Sequence, residues 1–361
     1  MRFISRFLLT LLLIVVLTVL GTIGWLTMTE YLPAPFEDVA VGRYGDTGRV
    51  RAGDELTVLS WNIGYGGLGK AEDFFMDGGK KSRPADQNTV HVYLDGVSRA
   101  IAANAADLVL LQEVDTDSAR SFRIDERKLL NSAMRCDSFA LNYACPFVPI
   151  PWPPIGRVNS GLYTMSRDYL IDSAERISLP CPFTWPMRVA NLKRCQLVSY
   201  LPLENSDKQL VLVNLHLEAY DDGAGKIAQT KQLRRFIEDE FSKGNYVIAG
   251  GDFNQVFPGS LEFYPNRHPE NWEPGVLEDS LLPAGWTLAC DLSTPTCRLL
   301  NQPFNPVDTV GTQYYVIDGL ILSPNVELKS VETVNEGFAN SDHNPVKAVV
   351  ALRELTEFGW Q

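Results

Sequence analysis

Tyr246-Val247-Ile248-Ala249-Gly250-Gly251-Asp252-Phe253-Asn254 is the stretch on which the reading of this chain turns. An uncharged, β-rich run, Tyr246–Gly250, reads as a buried strand that ends in polar groups. If the strand continues, Asp252 and Asn254 lie two apart and point the same way. Taken alone, Gly-Gly-Asp-Phe-Asn also makes an ordinary turn. Just upstream, Lys226–Ser242 carries apolar residues at 227, 233, 236, 237 and 241, one helix face, and Gly244 stops it. Further upstream, Leu210–Leu217 alternates, with Leu210, Leu212, Asn214 and His216 on one face.

The same pattern recurs outward from this centre. Leu56–Trp61 is a β-rich run ending in Asn62, Val90–Ala106 reads as a helix, and Asp107–Gln112 is apolar up to Glu113. Ser160–Ser166 and Gln196–Leu203 read as strands, as do Tyr314–Ser323, which contains Asp318, and Val346–Leu352. Ser341-Asp342-His343-Asn344-Pro345 precedes the last of these. The Pro- and Asn-rich stretch 258–310 reads as irregular, a rim or a substrate loop. Many strands with few helices argue for packed sheets with helices outside. No linker or repeat divides residues 55–355, which read as one α/β domain.

Polar groups thus collect at strand ends, where layered α/β folds gather their chemistry. The residue types suit phosphoester hydrolysis. Oxygen ligands such as Glu113 and Asp342 hold Mg²⁺ or Mn²⁺. His343, Asp252, His216 and Asn254 cover proton transfer and donation to phosphoryl oxygens, and Asp318 is able to orient His343. Each piece alone has a bland alternative: a strand-end charge, a turn, a loop cap or a core histidine.

In order along the chain, Ser60-Trp61-Asn62-Ile63, Leu111-Gln112-Glu113, Asn159-Ser160-Gly161, Asn214-Leu215-His216-Leu217, Gly251-Asp252-Phe253-Asn254, Ile317-Asp318 and Ser341-Asp342-His343 resemble the signature of the endonuclease/exonuclease/phosphatase superfamily. That superfamily includes DNase I-like nucleases, inositol-polyphosphate phosphatases and neutral sphingomyelinases. The resemblance runs from about residue 56 to 353. It implies a four-layer α/β/β/α sandwich, two packed mixed sheets flanked by helices. It also implies one or two divalent metals with Glu113 as principal ligand, assisted by Asn62 and Asp342. His343 paired with Asp318, together with Asp252, Asn254 and His216, would surround the phosphate, with either Asp252 or His343 activating water. Asn159 matches only loosely.

Gly64, Gly66, Gly67 and Gly69 are followed by no Gly-Lys-Ser/Thr, which excludes a P-loop. The segment Asp73–Lys81, with Arg83, either brings positive charge over the site or is a solvated loop. This Gly-rich stretch and its insertion are similar to a group of bacterial membrane-anchored members.

Phe7 to Leu26 is an uncharged apolar run, with Arg2 and Arg6 before it and Glu30, Glu37 and Asp38 after it. About 20 such residues span a bilayer core of about 30 Å, and flanking positive charge stays cytoplasmic. Residues 1–28 therefore read as a single-pass anchor with the N-terminus inside, 29–54 as an extended stalk, and the rest as extracytoplasmic; a cleaved signal peptide is the rival reading. Six cysteines beyond the apolar run suggest disulfides, with 136–145, 181–195 and 290–297 as the expected couples. Without Arg2 and Arg6 the chain has 30 basic against 44 acidic residues, a balance of −14 that disfavours nucleic acid as a partner. The apolar, aromatic run Pro146–Ile155 either packs on its own domain or dips into a bilayer interface. A membrane lipid head group or a small phosphoester is thus the expected substrate. A nuclease and a catalytically silent binding module are the alternatives.

Overall fold

The computed structural model describes residues 2–131, 133–278, 281–308, 310–356 and 359–360. Helix α1 (Arg2–Met28) projects from the rest, its apolar span unburied except at its C-terminal end, where Leu26 packs on the domain. It is long and apolar enough to cross a membrane.

Two seven-stranded mixed sheets follow. One runs β1 (Phe36–Val39), β7 (Ser173–Ser178), β8 (Cys195–Pro202), β9 (Gln209–His216), β10 (Tyr246–Asp252), β16 (Asp318–Leu322), β13 (Thr287–Ala289). The other runs β17 (Val326–Thr333), β18 (Val346–Leu352), β3 (Glu55–Asn62), β4 (Leu108–Asp115), β6 (Gly156–Ser166), β5 (Cys136–Val148), β2 (Val41–Arg43). Two short ribbons, β11 (Gln255–Val256) with β12 (Gly275–Val276) and β14 (Cys297–Arg298) with β15 (Tyr314–Tyr315), supplement them.

Strand alternation decides the layers. Leu56, Val58, Leu108 and Leu110 meet Leu210, Leu212, Ile248 and Leu320 between the sheets. The opposite face of β3 and β4, with Leu59, Trp61, Val109 and Leu111, is covered by Val90, Leu94, Val97 and Ile101 of α2 (Gln87–Asn104). Asp86 caps that helix by accepting from the Thr89 backbone N–H at 2.8 Å. A one-turn helix, α3 (Arg127–Leu130), adds Leu130 to the same cluster. On the far side, Leu233 and Ile237 of α4 (Ala224–Ser242) cover Val211, Val213, Val247 and Ala249. The result is the expected α/β/β/α sandwich.

Three expectations are corrected. The segment read as a stalk supplies edge strands to both sheets: Phe36 pairs with Ile177, and Val41 with Ser138. Its prolines and glycines, which read as extended linker, are compatible with short edge strands, Pro33 and Pro35 preceding β1 and Gly42 lying in β2. Tyr314–Ser323 is two strands, β15 and β16, in different sheets. Finally, all six cysteines are free thiols. Cys136 and Cys145 lie far apart along one extended strand, β5, so at about 3.3 Å per residue their separation far exceeds disulfide reach. Cys195 is packed among apolar residues of β5, β6, β7 and β8, and Cys297 lies against His343. The remaining two, Cys181 and Cys290, are partly exposed.

Candidate active site

Register assembles half of the site. On three adjacent strands, His216 pairs with Asp252 and Asp252 pairs with Asp318. Gly251 lets β10 pass close to β9, since a Cβ there would stand 1.9 Å from the Leu215 carbonyl oxygen. The other sheet supplies the second half. Asn62, at the end of β3, pairs with Gln112 of β4, and Glu113 follows. A bulge in β4 between Leu111 and Val114 turns Glu113 aside at φ +55. Asn254, just past β10, has φ +50. With Tyr65 at φ +43, three non-glycine residues lining the pocket occupy this costly region, which marks strain held by the surrounding fold.

The loop before β18 brings in Asp342 and His343. It is pinned by Trp61 Nε1–H donating to the His343 carbonyl at 2.8 Å and by Ser341 Oγ donating to the Asn62 carbonyl at 2.8 Å. The Arg298 backbone N–H donates to the Asp342 carbonyl at 3.0 Å, so β14 braces the same loop.

These halves meet at hydrogen-bond range. Asn62 Nδ2 donates to Glu113 Oε1 at 3.2 Å and to Asp252 Oδ2 at 3.0 Å, tying the sheets together. The Asn62 Oδ1 accepts from the Gly64 N–H at 3.0 Å and keeps a second lone pair. His343 Nδ1 lies 2.8 Å from Asp318 Oδ2, and its Nε2 lies 3.8 Å from Asp252 Oδ2 and 3.9 Å from Asp342 Oδ2. His216 Nε2 lies 3.4 Å from Asp252 Oδ2. The Asn254 backbone N–H donates to Asp252 Oδ1 at 2.8 Å, and Asn254 Nδ2 donates to the Leu217 carbonyl at 2.9 Å. All eight residues expected at the site therefore converge on one pocket, seven of them on its walls and Asp318 behind His343. Asn159 does not join them; its neighbour Ser160 faces the pocket instead, as strand alternation requires.

Burial sets the protonation states. It pushes the Asp252 carboxyl up to about 7, reinforced by Asp318 and opposed by His343 and Asn62. Asp342 is pushed up to about 6 by burial, with His343 opposing and Glu113 reinforcing. Burial disfavours charge on His343, yet Asp318 and the other nearby acidic groups overcome it and hold the imidazole well above its usual range. His216 is held well below its usual range by burial and by Arg194.

The residues present suit a hard divalent cation. Glu113 and Asp342 repel each other across the pocket, Asp318 Oδ1 is buried without a partner, and Asp252, Asp318 and His343 place ligand atoms within 4.8 Å of one another. Oxygen donors crowded in this way accept Mg²⁺ or Mn²⁺ readily. A second cluster adds Cys297 to Asp342 and His343, but burial pushes that thiol up to about 12.

Sequence reasoning missed several walls of the pocket. Arg194 and Glu218 form a buried pair at 3.6 Å, with Arg194 Nε and Glu218 Oε2 lacking hydrogen-bond partners. Arg120 is clamped by Asp115 through two 3.0 Å hydrogen bonds and lies over the Tyr65 ring. The insertion after β3 delivers Asp77 rather than a lysine; its carboxylate accepts from the Tyr220 hydroxyl at 2.9 Å, and burial pushes it up to about 7. Lys81 instead pairs with Glu72. The stretch 258–310, expected to be irregular, contains β12, β13 and β14, with β13 at the edge of a main sheet; its Trp272 and Leu300 also line the pocket. None of these had a sequence signal, because isolated Arg, Asp or Trp residues in loops look alike until the chain is folded.

Comparison with known proteins agrees with this geometry. A model of the endonuclease/exonuclease/phosphatase family matches residues 59–343. The crystal structure of an endonuclease/exonuclease/phosphatase from Beutenbergia cavernae DSM 12333 superposes with a TM-score of 0.55 at 17% identity, covering 82% of this chain and 72% of that one. One from Bacteroides vulgatus gives 0.51 at 17% identity, covering 83% and 99%. Among curated proteins, none matches the chain.

Proposed function

Because the chain belongs to the endonuclease/exonuclease/phosphatase family, whose members hydrolyse phosphoester bonds, we propose that it is a metal-dependent phosphoesterase, anchored by α1 with its catalytic domain outside the cytoplasm. A lipid head group or another small phosphoester is the proposed substrate. The carrying observation is the meeting of Glu113, Asn62 and Asp252 across two sheets, with His343 and Asp318 closing the site.

Glu113 and Asp342, assisted by the free lone pair of Asn62 Oδ1, would hold Mg²⁺ or Mn²⁺. When bound, the ion supplies polarisation of a phosphoryl oxygen. His343, kept charged by Asp318, donates to the phosphoryl group through Nε2. Asp252, held at Oδ1 by the Asn254 N–H and poised near neutrality, takes the proton of the attacking water at Oδ2. His216, neutral beside Asp252, and Asn254 fix that carboxylate. A pocket that includes Asp77 and Glu218 and a chain of −14 beyond its first charged residues favour a small head group over a polynucleotide.

The test uses the full chain in lipid vesicles with Mg²⁺, Mn²⁺ or EDTA, against phospholipids, sphingomyelin, inositol phosphates and DNA. Metal-dependent release from one of the first three, absent in Glu113→Gln, supports the reading. Cleavage of DNA alone would replace it with the nuclease alternative. Absence of metal binding would bring forward a silent binding module.

A further inference from the structure

The foot of α1 is built into the catalytic domain. Leu26 is only 3% exposed and packs with Cys145, Val148, Ile155, Val158 and Val189. Trp185 Nε1–H donates to Thr27 Oγ1 at 3.0 Å. The Glu30 carboxylate, its side chain 2% exposed, accepts from Arg188 at 2.8 and 3.0 Å and lies 3.2 Å from Lys193 Nζ. A two-point clasp of this kind fixes the direction in which the helix leaves the domain.

Two loops border that foot. One joins β5 to β6 through residues 149–155, between Val148 and Ile155, which both pack on Leu26. The other carries Trp185 and leads into the 3₁₀ turn Met187–Ala190. Both turn apolar side chains outward: Ile150, Trp185 and Met187 are exposed, and Trp152 is 91% exposed. Their other residues, Ile155, Asn191 and Leu192, line the catalytic pocket.

We propose that Ile150, Trp152, Trp185 and Met187 form a collar that seats in the interfacial layer of the same bilayer that α1 crosses, placing the mouth of the pocket among lipid head groups. The occupant is lipid because the collar is continuous with the unburied apolar span of α1, and tryptophan favours this layer. Contact is by apolar insertion, not by attraction to anionic lipid. The cations at the foot, Arg188 and Lys193, share the single carboxylate of Glu30, which leaves at most one net positive charge there. Zwitterionic phosphatidylcholine therefore suffices. The placement rests on α1 being a membrane span, and is independent of which phosphoester is cleaved.

The experiment reconstitutes the full chain into phosphatidylcholine vesicles with brominated acyl chains and reads tryptophan emission. Trp152→Phe, Trp185→Phe and Trp25→Phe each isolate one component by difference. The components lost in Trp152→Phe and Trp185→Phe should be quenched by brominated lipid and shielded from aqueous acrylamide. The Trp25 component, in α1, reports insertion. Trp152 and Trp185 components open to acrylamide and indifferent to bromine, with Trp25 quenched, would overturn the collar. A Trp25 component that escapes bromine would overturn the span and the collar with it. Glu30→Ala should lose Trp152 quenching while keeping that of Trp25; unchanged Trp152 quenching would overturn the clasp. No readout needs turnover, so a wrong substrate assignment leaves this test intact.

Discussion

At the scale of single residues, the site works through pairs whose members have separate tasks. Asp318 touches His343 Nδ1 at 2.8 Å and lies behind it, so its task in the proposed mechanism is to hold the ring and its charge. Asp318→Asn should lower kcat by roughly 10²–10⁴-fold, the range for losing a positioned acid or its orienting carboxylate. The same change should move the alkaline limb of the pH–rate profile down, because the imidazole loses the neighbour that raises it. A profile that keeps its shape while kcat falls would point to damage elsewhere. Glu113→Gln keeps the side-chain volume at the strained φ of +55, yet removes the charge a divalent ion requires. Turnover should drop by about 10³-fold or more, since several kcal/mol of charge stabilisation are lost. The denaturant midpoint should hardly move, and urea melts beside the assay separate the two effects.

At the scale of elements, the sheets are joined through polar groups as well as through the core. Gln112 Nε2 donates to Asn214 Oδ1 at 2.8 Å, while Asn214 Nδ2 donates to the Leu111 and Tyr163 carbonyls at 3.0 and 3.1 Å, all of it buried. Asn214→Ala takes the amide donor from the Leu111 and Tyr163 carbonyls, while Gln112 Nε2 keeps the Leu110 carbonyl at 3.1 Å, and should cost about 3 kcal/mol at 1–3 kcal/mol per unmet buried group. The urea midpoint should fall with an unchanged slope; a wild-type midpoint would show that water replaces the amide. This element also shows what was legible beforehand. The alternation of Leu210–Leu217 placed Asn214 and His216 on one face, and the structure agrees. Strands such as β3, β9 and β10 were readable because burial on one or both faces writes a long apolar signal. The edge strands β1 and β2 and the two-residue β14 and β15 have too few residues to write any pattern. At the site, the motif residues at the ends of long strands were identifiable, whereas Arg194, Glu218, Arg120 and Asp77 became visible only through tertiary contact. The cysteine couples failed because nearness in sequence means remoteness along an extended strand, as Cys136 and Cys145 show. Dithiothreitol should therefore leave the melting temperature unchanged, and a drop on reduction would reinstate a disulfide.

For the molecule as a whole, the carboxylates link stability to pH and to metal. Burial pushes Asp252 to about 7 and Asp342 to about 6, against about 3.9 in an unfolded chain. The folded state therefore binds more protons across that interval, and the contribution of these groups to stability is lost as pH rises through it. On the proposed metal dependence a divalent ion would replace those protons, so added Mg²⁺ should raise the melting temperature more at pH 8 than at pH 6. Calorimetry with Mg²⁺ and with EDTA at both pH values checks this, and a larger rise at pH 6 would contradict it.

Only Ala40 separates β1 from β2, yet the two strands close different sheets. The chain thus passes from one sheet to the other within a residue of leaving β1, like a stitch through two layers of cloth. Phe36 must wait for Ile177, and Val41 for Ser138, partners made on the order of a hundred residues later during synthesis. The stretch that follows α1 is therefore fastened late, and both halves of the sandwich have to exist before the thread is drawn tight.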